Sequence, residues 1–138
     1  MATEAQIHNY LSSLPEAKRS DMQTLHDRFL HLLPGCRLWF LDGRNDEGKV
    51  VSNPNIGYGE ITIKYADGSS KEFFRIGLSA NTAGISVYVM GLEDKEYLRN
   101  TLGGRLGKAT ITGYCIKFKK LADINRSVLE EVIIPRLI

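Results

Sequence analysis

The run from Asn55 to Gly77 constrains the fold more than any other part of the chain. It reads N-I-G-Y-G-E-I-T-I, then, after Lys64, Y-A-D-G-S-S-K-E-F-F-R-I-G. Ile61, Ile63 and Tyr65 alternate with Thr62 and Lys64, the period of a strand with one buried face. Asp67-Gly68 is a hairpin dipeptide, because glycine takes the positive φ that a tight turn needs. Lys71–Leu78 answers as the returning strand, although Phe73-Phe74 leaves both of its faces apolar. Gly84–Met90 alternates again, with Ile85, Val87 and Val89 opposed to Ser86, Tyr88 and Met90. The expectation is three neighbouring antiparallel strands at the centre of a sheet.

The flanks carry the helical period. Thr3 with Gln6 is a capping-box pattern opening a helix over about Glu4–Ser12. Pro15 sits near the start of a second helix, where a missing N–H costs nothing. Met22, Leu25, Phe29 and Leu32 form its buried stripe, and Pro34-Gly35 stops it. Cys36–Leu41 is a short apolar strand, Asp42–Gly48 a polar turn, and Lys49–Ser52 a weak edge strand. Ser79–Gly84 reads as a small-residue loop and Glu93–Leu102 as a helix ended by Gly103-Gly104. Tyr114–Lys119 is a last strand, and Asn125 caps a final helix over about Arg126–Pro135. There is no internal repeat, low-complexity segment or linker. The expected fold class is α+β: an antiparallel sheet of five or six strands with N- and C-terminal helices packed on one face.

At 138 residues the chain is expected to be one domain, large enough to fold without a metal or disulfide staple. A net charge of +2 argues against nucleic acid as a partner. The charge is uneven: residues 105–138 carry seven basic and three acidic side chains, read as a solvated face. Met1–Gln6 has no basic start and no long apolar run follows, so neither a secretory leader nor a membrane span is expected. Two cysteines, Cys36 and Cys115, fit a reducing cytoplasm and two packed thiols.

A set of short motifs, in one order over about residues 5–134, resembles the YdhG-like family, a bacterial domain of unknown function. The motifs are I-G-Y-G (Ile56–Gly59), Y-A-D-G (Tyr65–Gly68), F-x-x-G (Phe74–Gly77), S-V-Y-V-M (Ser86–Met90), L-G-K (Leu106–Lys108), C-I-K-F-K-K-L-A-D-I (Cys115–Ile124) and V-L-E-E (Val128–Glu131). The resemblance implies a small cytoplasmic α+β domain, and some members have been described as frataxin-like iron chaperones. The chain departs from that pattern at Ala80-Asn81 and at Ala109 and Thr110, where relatives are often basic.

Candidate chemistry is sparse. His8, His26 and His31 do not form a metal-binding spacing, and the pairs Asp27/His31 and Glu4/His8 fall short of three or four converging ligands. An iron carrier wants a dense ridge of oxygen ligands, and the last helix offers only Glu130 and Glu131. Cys115 has lysines nearby in sequence but no partner base, and no hydrolase, Walker or zinc pattern occurs. Gly103-Gly104 with Gly107-Lys108 is a candidate anion nest, set against the plainer reading of a turn and a bulge. Trp39, Tyr58, Tyr88 and Arg75 are read as lining a shallow pocket at one end of the sheet, with Lys108 as a further ligand-binding residue. Aromatics at this spacing are more often core. No catalytic residue, metal or cofactor is expected. The function expected is a non-enzymatic module binding a small ligand or a protein partner, monomeric or weakly dimeric. The alternatives are an intracellular iron carrier, on the resemblance alone, and an enzyme acting on a small anion through Arg75 and Lys108.

Overall fold

The computed structural model describes residues 2–92 and 94–134. Four α-helices and eight strands run in the order α1 (Thr3–Ser12), α2 (Glu16–Leu32), β1 (Leu38–Leu41), β2 (Asn55–Tyr58), β3 (Ile61–Lys64), β4 (Ser70–Phe73), β5 (Ile76–Asn81), β6 (Gly84–Val89), α3 (Tyr97–Leu102), β7 (Thr110–Thr112), β8 (Cys115–Phe118) and α4 (Arg126–Ile133). Six strands form an antiparallel sheet in the order β1-β2-β5-β6-β8-β7, and β3 with β4 forms a separate two-stranded ribbon. The fold is α+β, with helices towards both ends of the chain, as the change of hydrophobic period requires.

Side chains on one face of the sheet and one stripe of each helix meet in a single core. Ile56, Tyr58, Ile76, Leu78, Ile85, Val87 and Ile116 supply the sheet side. Ile7, Leu11, Met22, Leu25, Phe29, Leu98, Leu102, Leu129 and Ile133 supply the helix side. The α2 stripe is the expected one, and Gly35 turns the chain out of the helix with φ +73. Asn125 caps α4 as expected, its Oδ1 accepting from the N–H groups of Ser127 and Val128. The first cap differs: Ala2, with no side-chain cap, precedes α1, and Thr3 is already helical.

The strand pattern departs from expectation in four places. The Asp67-Gly68 turn heads the ribbon, and the centre of the main sheet is β5–β6. Lys71–Leu78 is two strands, interrupted at Phe74-Arg75. Yet the pairing offset never changes: Tyr58 faces Ile76 and Ile61 faces Phe73. The ribbon and the β2–β5 pair are therefore one long hairpin that bends at Gly59, where φ is +74, without gaining or losing a residue. Ser79–Asn81 continues β5, because Gly84–Ser86 of β6 pair with it, so the expected loop shrinks to Thr82-Ala83. Lys49–Ser52 forms no strand. Arg44 and Val50 share a lone bridge, and the edges are β1 and the unforeseen β7. The helix expected from Glu93 is shorter, beginning at Tyr97, and Glu93 and Pro135 lie outside the described residues.

Away from the helices, one row crosses the sheet: Trp39, Gly57, Gly77, Tyr88, Cys115, Thr112, each paired with the next. Phe74 folds over its two glycines. A Cβ at Gly57 would lie 2.6 Å from Phe74 Cβ, and one at Gly77 would lie 2.6 Å from Phe74 Cε1. The bend thus swings a phenyl ring into a trough that only glycine leaves open.

A candidate ligand cleft beside His26

The five residues singled out from sequence do not come together. Trp39 and Tyr88 share the outer face and the same row, but Phe74 fills the space over the glycines between them. Trp39 is tied down as well: its Nε1–H donates to Gly59 O at 2.8 Å, and the Arg37 guanidinium sits 3.9 Å above its ring. Arg75 donates to Ile133 O at 2.7 Å and to Ile134 O at 3.5 Å, satisfying carbonyls at the end of α4. Lys108 is exposed, and its backbone N–H donates to Asp123 O. Gly107 packs against that same segment, so close that a Cβ would lie 2.5 Å from Asp123 O. The glycine–lysine run therefore clamps two chain segments together, with the Lys108 N–H already taken. Tyr58 points to the opposite face and is 0% exposed in the core. The shallow pocket expected from these residues is not assembled.

Tyr58 leads instead to a site that the sequence reading passed over. Its hydroxyl lies 2.6 Å from Nδ1 of His26, and the edge of Phe29 packs on its ring at 87°. His26 is nearly buried and forms part of the wall of a cleft of about 400 Å³, lined also by Glu4, Ile7, Leu30, Gly35, Cys36 and Leu38. Local rules place each of these residues. Glu4 and Ile7 are three apart on α1, and His26 and Leu30 are four apart on α2, so each pair shares one helix face. Gly35 carries the chain from α2 towards β1, and Cys36 and Leu38 follow at strand spacing.

The electrostatics follow from burial. Desolvation lowers the His26 pKa, with Asp27 pulling weakly the other way, so the imidazole is neutral at neutral pH. Burial pushes the Tyr58 hydroxyl well up and the Cys36 thiol up. The tautomer assigned from the hydrogen bond has Tyr58 donating to Nδ1, since the buried hydroxyl proton then has an acceptor. Nε2–H is the other polar atom of the ring, and it is a donor. The cleft lining therefore combines aliphatic side chains with an imidazole, a neutral thiol and one carboxylate. A thiol held protonated is a poor nucleophile.

His26 was legible in part. It falls between Leu25 and Phe29, next to the buried stripe of α2, where a polar side chain needs a partner. The partner lies 32 residues away on a strand, and no local signal connects the two.

The carboxylates of α4 are taken up by arginines. Glu130 is held by Arg28 through two hydrogen bonds of 2.9 and 2.8 Å, and Glu131 by Arg105 at 3.0 and 2.9 Å. Among the described residues no group of three His, Cys, Asp or Glu side chains lies close enough to hold a metal ion. Among the same residues no helix is long and apolar enough to cross a membrane. No family model matches the chain, and neither the curated proteins nor the solved structures contain a match to it.

Proposed function

We propose that this protein is a non-enzymatic domain of the YdhG-like kind that binds a small organic ligand in the cleft between α1, α2 and the start of β1. The observation that carries this reading is the His26–Tyr58 pair. A neutral imidazole, nearly buried and held by a hydroxyl of zero exposure, forms part of the wall of a cavity of about 400 Å³. That volume falls within the range of small-molecule sites, and the lining mixes aliphatic side chains with polar groups in comparable measure. Burying a histidine beside a cavity has an energetic cost, and a packed aliphatic residue would stabilise the core more. Placing an N–H donor where a ligand acceptor can reach it gives that cost a purpose.

The two free thiols support a reducing cytoplasm. Cys36 lines the helix-side cleft while Cys115 belongs to the outer row, so the sheet separates them and they form no disulfide with each other. The proposed form is a monomer or weak homodimer. Neither the iron-carrier reading nor an enzyme acting through Arg75 and Lys108 draws support from the geometry, since the Arg75 guanidinium and the α4 carboxylates already serve structural contacts and the Lys108 side chain is exposed.

The test is a binding titration with small neutral amides carrying an apolar body, followed by amide chemical shifts. Binding in the range of about 1 mM or tighter, about −4 kcal/mol, is expected, with shifts centred on Ile7, Leu30, Cys36 and Leu38. Leu30→Trp fills the cleft and abolishes them. Shifts centred on Trp39 and Tyr88 instead, or binding unchanged by Leu30→Trp, would overturn the assignment.

A further inference from the structure

We infer that the cleft selects a small organic cation: an ammonium compound whose apolar body fills the space between Ile7, Leu30 and Leu38 and whose carbonyl or hydroxyl accepts from His26. This rests on the cleft being a binding site, and it adds the charge of the occupant. Among the described residues that line the cleft, Glu4 is the one carboxylate. None of the described lining residues is a lysine or an arginine. His26 and Cys36 are kept neutral by burial, so neither opposes a cation. The second contribution comes from the backbone. α2 has 17 residues and ends at Leu32, and Leu30 and Gly35 are lining residues, so the negative end of its dipole stands in the wall. A carboxylate and a helix C-terminus in one wall favour positive charge, whereas an anion would meet both unfavourably.

The roles divide by chemistry. The aliphatic walls recognise the body by burial of its surface, without regard to charge. His26 Nε2–H recognises an acceptor, since a donor presented there would leave two N–H groups opposed. Glu4, exposed at the rim, discriminates between cation, neutral molecule and anion. A rim carboxylate contributes modestly, so the selectivity expected is several-fold rather than a thousand-fold.

Three matched probes test this: phenylalanine amide as the cation, hydrocinnamamide as its uncharged counterpart, and N-acetylphenylalanine as an anion. Each is titrated into the full chain at neutral pH and low salt, with shifts at Ile7, Leu30, Cys36 and Leu38 locating the site. The cation is expected to bind about fivefold more tightly than the neutral amide, and the anion most weakly. Glu4→Gln, an exposed change that leaves the core intact, brings cation and neutral amide within twofold of each other. Equal affinities for the three probes, or a cation preference that survives Glu4→Gln, would overturn the charge selectivity while the cleft reading stands on the bound neutral amide. Failure of all three to shift the lining residues would overturn both.

Discussion

The Tyr58 hydroxyl lies 2.6 Å from His26 Nδ1, joining strand β2 to helix α2 beneath the cleft. The bond serves stability as well as orientation. Tyr58→Phe keeps the ring and its contact with Phe29 but leaves Nδ1 as a buried acceptor with no donor, which costs about 1–3 kcal/mol. Urea unfolding is expected to show a lower midpoint with an unchanged slope. An unaltered midpoint would mean that the pair carries no net stability.

The same histidine gives stability a pH dependence with a definite sign. Burial lowers the His26 pKa in the folded state, so the unfolded chain binds a proton that the folded one resists. Stability is then fully present above about pH 6.5 and declines as the pH falls below it, towards the lower folded pKa. Below about pH 5 protonation of the lowered carboxyls of Glu130, Glu131 and Asp67 adds to the loss. Unfolding free energies measured between these two limits should slope upward with pH in the native protein. The slope should flatten in His26→Gln, and an equal slope in both would refute the assignment.

The bend in the long hairpin yields a packing prediction. Gly57→Ala puts a methyl group 2.6 Å from the Cβ of Phe74, an atom that cannot swing away. The expected loss is about 1–3 kcal/mol. Phe74→Gly removes the nearly buried ring together with the Cβ, and costs at least the roughly 3–5 kcal/mol of losing the ring alone. In the Phe74→Gly background the Gly57→Ala change should cost far less, because the Cβ and the ring that it meets are both gone. Additive effects in this four-protein cycle would show that Phe74 is not what requires glycine at position 57.

How much of this was legible in sequence depends on whether the cause was local. The α2 stripe, the Asn125 cap and the alternation of β6 are local patterns, and each stands as expected; β3 alternates too, but its apolar face is only half-buried and Tyr65 is exposed beyond its end. Phe73-Phe74 was a visible irregularity, two large apolar side chains on opposite faces of a strand. Its explanation, a trough made by Gly57 and Gly77 on two different strands, exists only after the sheet has formed. Thr110–Thr112 is too short and polar to announce a strand, and it becomes one through pairing with β8. The candidate site suffered most. In I-G-Y-G nothing says which face Tyr58 takes, and that choice separates it from Trp39 and joins it to His26.

The paired carboxylates of α4 bear on iron. Glu130 and Glu131 each accept two hydrogen bonds from an arginine, and a metal would have to displace both guanidinium groups. Anaerobic calorimetry with ferrous iron is expected to show binding no tighter than about 10 μM, about −7 kcal/mol. A stoichiometric submicromolar site would restore the iron-carrier reading.

The two thiols should differ in accessibility, and that difference reports on the cleft. Burial raises the pKa of both, for Cys115 against the opposing pull of Lys117. Both are therefore poorer thiolates than a free cysteine at neutral pH. Cys115 is 7% exposed within the outer row, beside Tyr88, whereas Cys36 is half-buried and lines the cleft. Dilute iodoacetamide at neutral pH is expected to label Cys36 first and Cys115 only on unfolding, with both slower than in the denatured chain. Carboxamidomethylation adds several heavy atoms to Cys36 and should block the cleft, abolishing the shifts that small amides induce at Ile7 and Leu30. The Cys36→Ser protein should bind the amides and resist this inactivation, which separates loss by obstruction from loss by unfolding. Rapid native labelling of Cys115, or full amide binding after Cys36 is modified, would contradict the placement of these side chains and of the ligand site.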